Sequence, residues 1–144
     1  MSHRFTLREF RFPQDHAAAV KLWGSMEVGV SVGRSDSLEE IEKKIQRDPD
    51  LFLVAEINDE IVGTIIGGFD GRRGMIYHLA VRSEVREQGV GSMLLQEVEK
   101  RLQAKGCKKC YLLITADNRS AMKFYEKNDW REMTDDRLFG KEFP

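Results

Sequence analysis

From His78 to Leu95 the chain reads His-Leu-Ala-Val-Arg-Ser-Glu-Val-Arg-Glu-Gln-Gly-Val-Gly-Ser-Met-Leu-Leu. The first four residues close a strand that ends at Val81. From Gly89 to Lys105 the apolar residues recur at helical spacing, with Leu94, Leu95, Val98 and Leu102 on one face. Between strand and helix lies a short loop with Arg86 and two close glycines, Gly89 and Gly91. Glycine lets a backbone turn tightly and come close to a ligand. The first amides of a helix lack internal acceptors, and the helix dipole favours negative charge there. The stretch therefore reads as an anion cradle whose natural guest is a phosphate or pyrophosphate.

Working outward, Met75 to Val81 is the third of three consecutive strands. Leu51 to Ile57 precedes it, Asn58-Asp59 turns the chain, and Ile61 to Phe69 returns. Gly71-Arg-Arg-Gly74 is the second turn, so a meander is expected. Upstream, Phe5 to Phe10 alternates as a half-buried strand. Pro13 and Asp15 open a helix running to about Trp23, with Ala19, Val20 and Trp23 as its stripe. Met26 to Asp36 has no period and reads as a loop. Ser37-Leu-Glu-Glu40 is a capping box, with Leu38, Ile41 and Ile45 following at helical spacing. Downstream, Glu97 and Arg101 pair at i,i+4, and Gly106 stands where a helix end wants a left-handed residue. Tyr111 to Thr115 is expected to be a buried strand. Asp117 or Asn118 then caps a helix through Lys127, and Trp130–Met133 with Arg137–Phe143 is expected as a final hairpin. The order β-α-α-β-β-β-α-β-α-β-β implies an α/β (α+β) fold in one domain, residues 1–144. Its mixed sheet of six to seven strands is mostly antiparallel, with one parallel pair across the Gly89 helix and four helices on both faces.

Composition bounds the function classes. Lys plus Arg is 23 against 24 for Asp plus Glu, a net charge of −1, which argues against nucleic acid as a partner. The longest uncharged run, Ile61 to Phe69, is far short of the roughly 20 residues that span a bilayer as a helix. No secretory signal follows the basic start, so the expectation is a cytoplasmic chain without a membrane partner. Cys107 and Cys110 lack the further ligands of a zinc site and follow a helix end, where no dipole lowers a thiol pKa. Two ordinary thiols and no metal are expected.

Among phosphate binders, the dinucleotide fingerprint fails because its third glycine position is Leu94, and no P-loop run exists. Arg86-x-x-Gly89-x-Gly91 between a strand and a long amphipathic helix resembles the pyrophosphate loop of the GNAT N-acetyltransferases, which bind acetyl-CoA. A second segment strengthens the match. Leu112 to Trp130 reads L-L-I-T-A-D-N-R-S-A-M-K-F-Y-E-K-N-D-W and resembles the family's second CoA segment. The likeness covers nearly the whole chain and is greatest to small bacterial acetyltransferases of the RimI-like and YpeA-like kind.

This resemblance implies an acetyl-CoA-dependent transferase acting on a primary amine by direct attack in a ternary complex, with room for a homodimer. Two neighbouring strands, Met75–Val81 and Cys110–Thr115, would splay so that pantetheine enters between them. Leu79, Ala80 and Val81 would bond the pantetheine through their backbones. The amides of Glu87, Gln88, Gly89, Val90, Gly91 and Ser92 would hold the pyrophosphate, with Arg86 as a supporting cation at the mouth. Asn118 would bond the pantetheine arm, and Tyr125 would act as general acid toward the leaving sulfur. A backbone amide, that of Leu79, would stabilise the developing oxyanion.

Three departures from the family stand out. Glu87 and Asp129 occupy positions where relatives often carry glycine, and Glu87 is expected to point to solvent. Neither Met75 nor Leu113 supplies the carboxylate base that relatives place there. His78 is the one histidine near the motif and a candidate base. Strand alternation turns it away from the Tyr77 face unless a bulge turns it back, and so favours water or acceptor desolvation as the proton route. The acceptor side is expected in the loop from Glu27 to Asp36 and around Asp135, Asp136 and Arg137. Glu27, Asp36 and Asp70 are carboxylates able to attract a cationic amine, and as carboxylates they are expected at the surface. The alternatives are transfer of a longer acyl group and a non-catalytic CoA-binding module. A transferase toxin directed at tRNA is disfavoured by the balanced charge.

Overall fold

The computed structural model describes residues 5–26, 30 and 32–144. Its sheet has five strands in the order β1-β2-β3-β4-β5. They are β1 Thr6–Glu9, β2 Phe52–Ile57, β3 Glu60–Phe69, β4 Gly74–Val81 and β5 Cys110–Leu112. All neighbours run antiparallel except β4 and β5, which are parallel. Four α-helices stand among the described residues: α1 His16–Gly24, α2 Leu38–Arg47, α3 Val90–Ala104 and α4 Arg119–Lys127. Between β2 and β3, Asn58 and Asp59 both adopt positive φ, as a tight hairpin turn requires.

Alternation along β2 explains the layering. Leu51, Leu53 and Ala55 face α3, and Phe52 and Val54 face α1 and α2, so both sides of the sheet carry a core. Helix α3 buries Val90, Leu94, Leu95, Val98 and Leu102 on the sheet. Each such side chain contributes about 1.5–3 kcal/mol. Strand glycines bring the helix close: a Cβ on Gly67 would lie 2.9 Å from Val98 Cγ1. Trp23 of α1 is 1% exposed and anchors the opposite layer.

The caps follow the sequence with two changes. Ser37 accepts from the Glu40 amide, but the Glu40 carboxylate pairs with Lys43 instead of reaching back. Asp15 precedes α1 without capping it. Its carboxylate is taken by Arg8, at 2.6 Å, and by the Arg11 amide. Glu97 pairs with Arg101 at 2.9 Å, and Gly106 is left-handed.

Two expected strands are corrected. The sheet has five strands, not six or seven, because Trp130–Met133 and Arg137–Phe143 form no hairpin. Their apolar residues are too sparse to bury: Leu138 and Phe139 are 73% and 89% exposed. The segment's end is held instead by Arg34, which donates to the Phe143 carbonyl at 2.8 Å. The strand expected over Tyr111–Thr115 is half-buried, begins at Cys110 and ends at Leu112.

Candidate active site

The early end of β5 makes the site. β4 and β5 pair only through Gly74–Cys110, Met75–Tyr111 and Ile76–Leu112. Beyond Ile76 the β5-facing edge of β4 has lost its strand partner. A cavity of about 950 Å³ opens there, lined by Tyr77–Val81 of β4 and by Leu112–Ile114. Its floor continues over Arg86, Glu87 and the start of α3, and Asn118, Ala121, Phe124 and Tyr125 close it from α4. An unpaired strand edge offers backbone donors and acceptors to any extended guest.

At one end of the cavity lies the glycine loop. Gly89 is the N-cap of α3 with φ +86, and no side chain caps the helix. The first amides of α3 are thus open to an anion, and a Cβ on Gly89 would meet nothing within 4 Å. Gln88 Oε1 is buried without a hydrogen-bond partner in the same loop. The open amides and the unhindered glycine fit a phosphate or pyrophosphate, whereas the Gln88 carbonyl oxygen, an acceptor, offers nothing to an anion. Glu87, exposed, has φ +66, and Asp129 has φ +71. Left-handed backbone explains why glycine suits both positions. Arg86 is exposed and donates to the Val81 carbonyl at 3.2 Å, which keeps it at the mouth.

At the other end, β4 breaks the alternation expected of it. Thr64 pairs with Ala80 and Ile66 with Tyr77, so β4 holds one residue more than β3 across that interval. This is a β-bulge, and His78 adopts φ +53 in it. The extra residue turns His78 to the side of Tyr77, their rings lying 5.9 Å apart edge to face. The expectation that His78 faces away from Tyr77 is therefore corrected. The bulge carbonyl is satisfied by a relay: Trp23 Nε1 donates to Thr64 Oγ1, which donates to the His78 carbonyl, each at 2.9 Å. Trp23 also packs edge-on against the imidazole at 4.6 Å.

Tyr125 lies on α4 against the cavity, between Phe124 at 5.1 Å and Trp130 at 6.0 Å. Burial pushes its phenol up to about 12. Phe124 also sits 3.3 Å from where a Cβ on Gly91 would stand, so that glycine seats α4 on α3. Asn118 Oδ1 accepts from the Ala121 amide at 3.1 Å and so caps α4, leaving the side-chain NH2 for a guest. Leu79, Ala80, Val81, Glu87, Gly89, Val90, Gly91 and Ser92 all line the cavity.

Of the acidic acceptor-side residues, Glu27 lies outside the described residues. Asp70 is spent on its turn, accepting from the Arg72 and Arg73 amides at 2.7 Å each. Asp36 departs from a solvated carboxylate, being 7% exposed. Met75 and Leu113 are 38% and 62% exposed and carry no titratable group. Among the described residues no cluster of three metal-ligating side chains occurs, and no helix is long and apolar enough to cross a membrane. Burial pushes the Cys110 thiol up to about 11, and both cysteines are free.

Residues 17–130 match the model of the acetyltransferase (GNAT) family. The chain belongs to the GNAT acetyltransferase family. A protein of Pectobacterium atrosepticum named as an acetyltransferase is 40% identical over 135 residues, 94% of this chain and 93% of its own. This GNAT chain also superposes on glucosamine-6-phosphate N-acetyltransferase from Arabidopsis thaliana with a TM-score of 0.75 at 20% identity, covering 99% and 100% of the two chains. The PaiA N-acetyltransferase of Thermoplasma acidophilum, solved in complex with coenzyme A, gives 0.72 at 20% identity, covering 87% and 88%. These two likenesses concern the fold. Within this GNAT site, sequence reasoning missed the Trp23–Thr64 relay and the partner of His78. Neither leaves a local signal, because the residues are far apart in the chain and meet only across the sheet.

Proposed function

We propose that the protein transfers the acetyl group of acetyl-CoA to a primary amine by direct attack within a ternary complex. The observation that carries this reading is the open β4 edge, Tyr77–Val81, leading to the uncapped N-terminus of α3. One end suits an extended amide-containing arm and the other a pyrophosphate. Family membership and a relative's complex with coenzyme A support the same donor. Residues 1–144 act as one catalytic domain in this reading.

The roles follow from position. The amides of Glu87, Gln88, Gly89, Val90, Gly91 and Ser92 hold the pyrophosphate, and Arg86 adds positive charge at the mouth. The backbones of Leu79, Ala80 and Val81, with the Asn118 amide, align the arm. The Leu79 amide, next to the bulge, polarises the thioester carbonyl. Tyr125 donates toward the departing sulfur. At about 12 its phenol is fully protonated at neutral pH and a weaker acid than a thiol in water. Full transfer becomes favourable only as the same apolar cavity raises the thiolate's own proton affinity.

The test is a panel of small amines, amino acids, peptides and lysine-bearing proteins incubated with acetyl-CoA, with free coenzyme A as the readout. Acetylation of at least one class is expected. Tight coenzyme A binding with no turnover across the panel would instead favour the non-catalytic binding module, since Met75 and Leu113 supply no carboxylate base. Faster turnover with a longer acyl-CoA would revise the donor.

A further inference from the structure

Asp36 ends a 3-10 turn, Arg34–Asp36, immediately before α2. Its carboxylate is buried, and a buried charge persists only with partners. Oδ1 accepts from His78 Nε2 at 2.7 Å, and Oδ2 accepts from the Gly33 amide at 3.0 Å. The Asp36 carbonyl accepts from His16 Nε2 at 2.9 Å, which ties the turn to α1. The carboxylate thus reaches the imidazole from a different element, across the sheet from α3. His78 lines the reaction cavity, and the bulge holds it in a left-handed conformation, strain of the kind that collects at functional sites. An Nε2–H committed to a carboxylate leaves the neutral ring's lone pair on Nδ1.

We propose that Asp36 is the positioning residue of an Asp36–His78 dyad in which His78 Nδ1 removes the proton from the acceptor ammonium. The inference rests on the amine-acetylation reading above and supplies the base that Met75 and Leu113 do not. The step balances. One proton passes from the ammonium to Nδ1, the freed nitrogen pair forms a bond to the thioester carbonyl carbon, and the carbon–sulfur bond breaks. The sulfur takes a proton from Tyr125, and one of the two protons left on the attacking nitrogen replaces it, the other staying on the amide product. His78 then releases its proton to solvent.

The charged groups around the imidazole define what the pH dependence reports. Asp36 faces it from the turn, His16 stands behind Asp36 from α1, and Tyr77 flanks it on β4. From α2, Lys44 lies 6.0 Å over the Tyr77 ring and is itself paired with Asp48 at 2.8 Å. Arg86 lines the same cavity from the loop. Asp36 is the one carboxylate of this set in hydrogen-bond contact with His78.

Two measurements test the dyad. Nitrogen NMR of histidine-labelled protein, without any substrate, should show neutral His78 protonated at Nε2. The pH profile of kcat/KM for the acceptor should show an acidic limb in the wild type that is lost in His78→Gln. In Asp36→Asn kcat/KM for the acceptor should fall about tenfold to a hundredfold, with the KM for acetyl-CoA kept. An Nδ1-protonated His78, or profiles of folded Asp36→Asn and His78→Gln that overlay the wild type, would overturn the dyad while leaving acetyl transfer intact. A wild-type protein that binds acetyl-CoA but acetylates no amine would sink the functional reading, and the dyad with it. If Asp36→Asn does not fold, His78→Gln and the tautomer of the wild type decide the matter.

Discussion

A phenol in an apolar cage keeps its proton to higher pH than one in water, and Tyr125 is such a phenol. Its pKa, pushed up to about 12, is ordinarily near 10. Between those values the unfolded chain has lost a proton that the folded one still binds, so folding stability must fall as pH rises. The full effect is on the order of a few kcal/mol at most for this half-buried side chain, complete near pH 12 and absent well below pH 10. Tyr125→Phe removes it. Urea midpoints followed from about pH 8 to pH 11 should fall less steeply in the Phe variant, and parallel lines would mean the phenol is not desolvated. The same variant should lose roughly tenfold to a thousandfold in turnover with coenzyme A affinity nearly kept. Wild-type turnover, with chemistry limiting, would return Tyr125 to a packing role. Glu87 offers a second residue-scale prediction. Its φ of +66 and its charge both disfavour a carboxylate side chain beside a phosphate loop. Glu87→Gly should tighten coenzyme A binding about threefold to tenfold in calorimetry at low salt, by removing a surface repulsion of about 1 kcal/mol. Unchanged or weaker binding would place the phosphate elsewhere. Glu87 and Asp129 were legible in the sequence as departures at glycine positions. The left-handed turn of His78 was not, because the groups that bond it there, Thr64 and Asp36, lie far from it in the chain.

Helix α3 was legible because its face, loop and C-terminal glycine are all local. Five buried residues at helical spacing, a Gly89 N-cap and a left-handed Gly106 agree with one another. Its phosphate role is tested by Gly89→Glu, which puts bulk and charge against the open amides. Calorimetry on a folded variant should find coenzyme A binding weakened at least about a hundredfold, the scale of a buried like-charge contact. Retained affinity would remove the loop from the site. How closely α3 approaches the sheet was not legible, since glycines in a strand do not say what they face. Here Gly67 faces Val98. Gly67→Ala should therefore cost about 1–3 kcal/mol in denaturant unfolding, and a neutral result would show that α3 has room to move. β5 was overextended in the sequence reading for a related reason. Leu113 continues an apolar run, but after Leu112 the backbone leaves β4, and Leu113 is 62% exposed. The run Leu112–Ile114 is apolar because it lines a cavity, and a one-dimensional pattern does not distinguish a cavity wall from a core strand.

Across the whole molecule, burial is divided unevenly. Every buried residue lies at or before Cys107, and from Lys108 onward no described residue is buried. This C-terminal quarter still supplies one wall of the cavity through Leu112–Ile114, Asn118, Phe124 and Tyr125. Helix α4 has no buried residue and meets the main core only through half-buried Phe124 and Tyr125, beside Trp130. Local opening is cheapest where apolar burial is least, so β5 and α4 should detach in openings that leave β2, β3 and α3 folded. A ligand bridging β4, the α3 N-terminus and α4 binds only the closed form. At a hundred times its Kd it raises the cost of such opening by about 2.7 kcal/mol, or roughly a hundredfold in exchange rate. Hydrogen exchange should accordingly show the amides of α4 exchanging faster than those of β3 in the free protein. Saturating coenzyme A should slow α4 by up to that factor, while the amides of β2 and β3 gain no more than their global-unfolding share. Exchange of α4 at the same rate as β3 without ligand would show that the C-terminal wall belongs to the main cooperative unit, with the cleft rigid before the donor arrives.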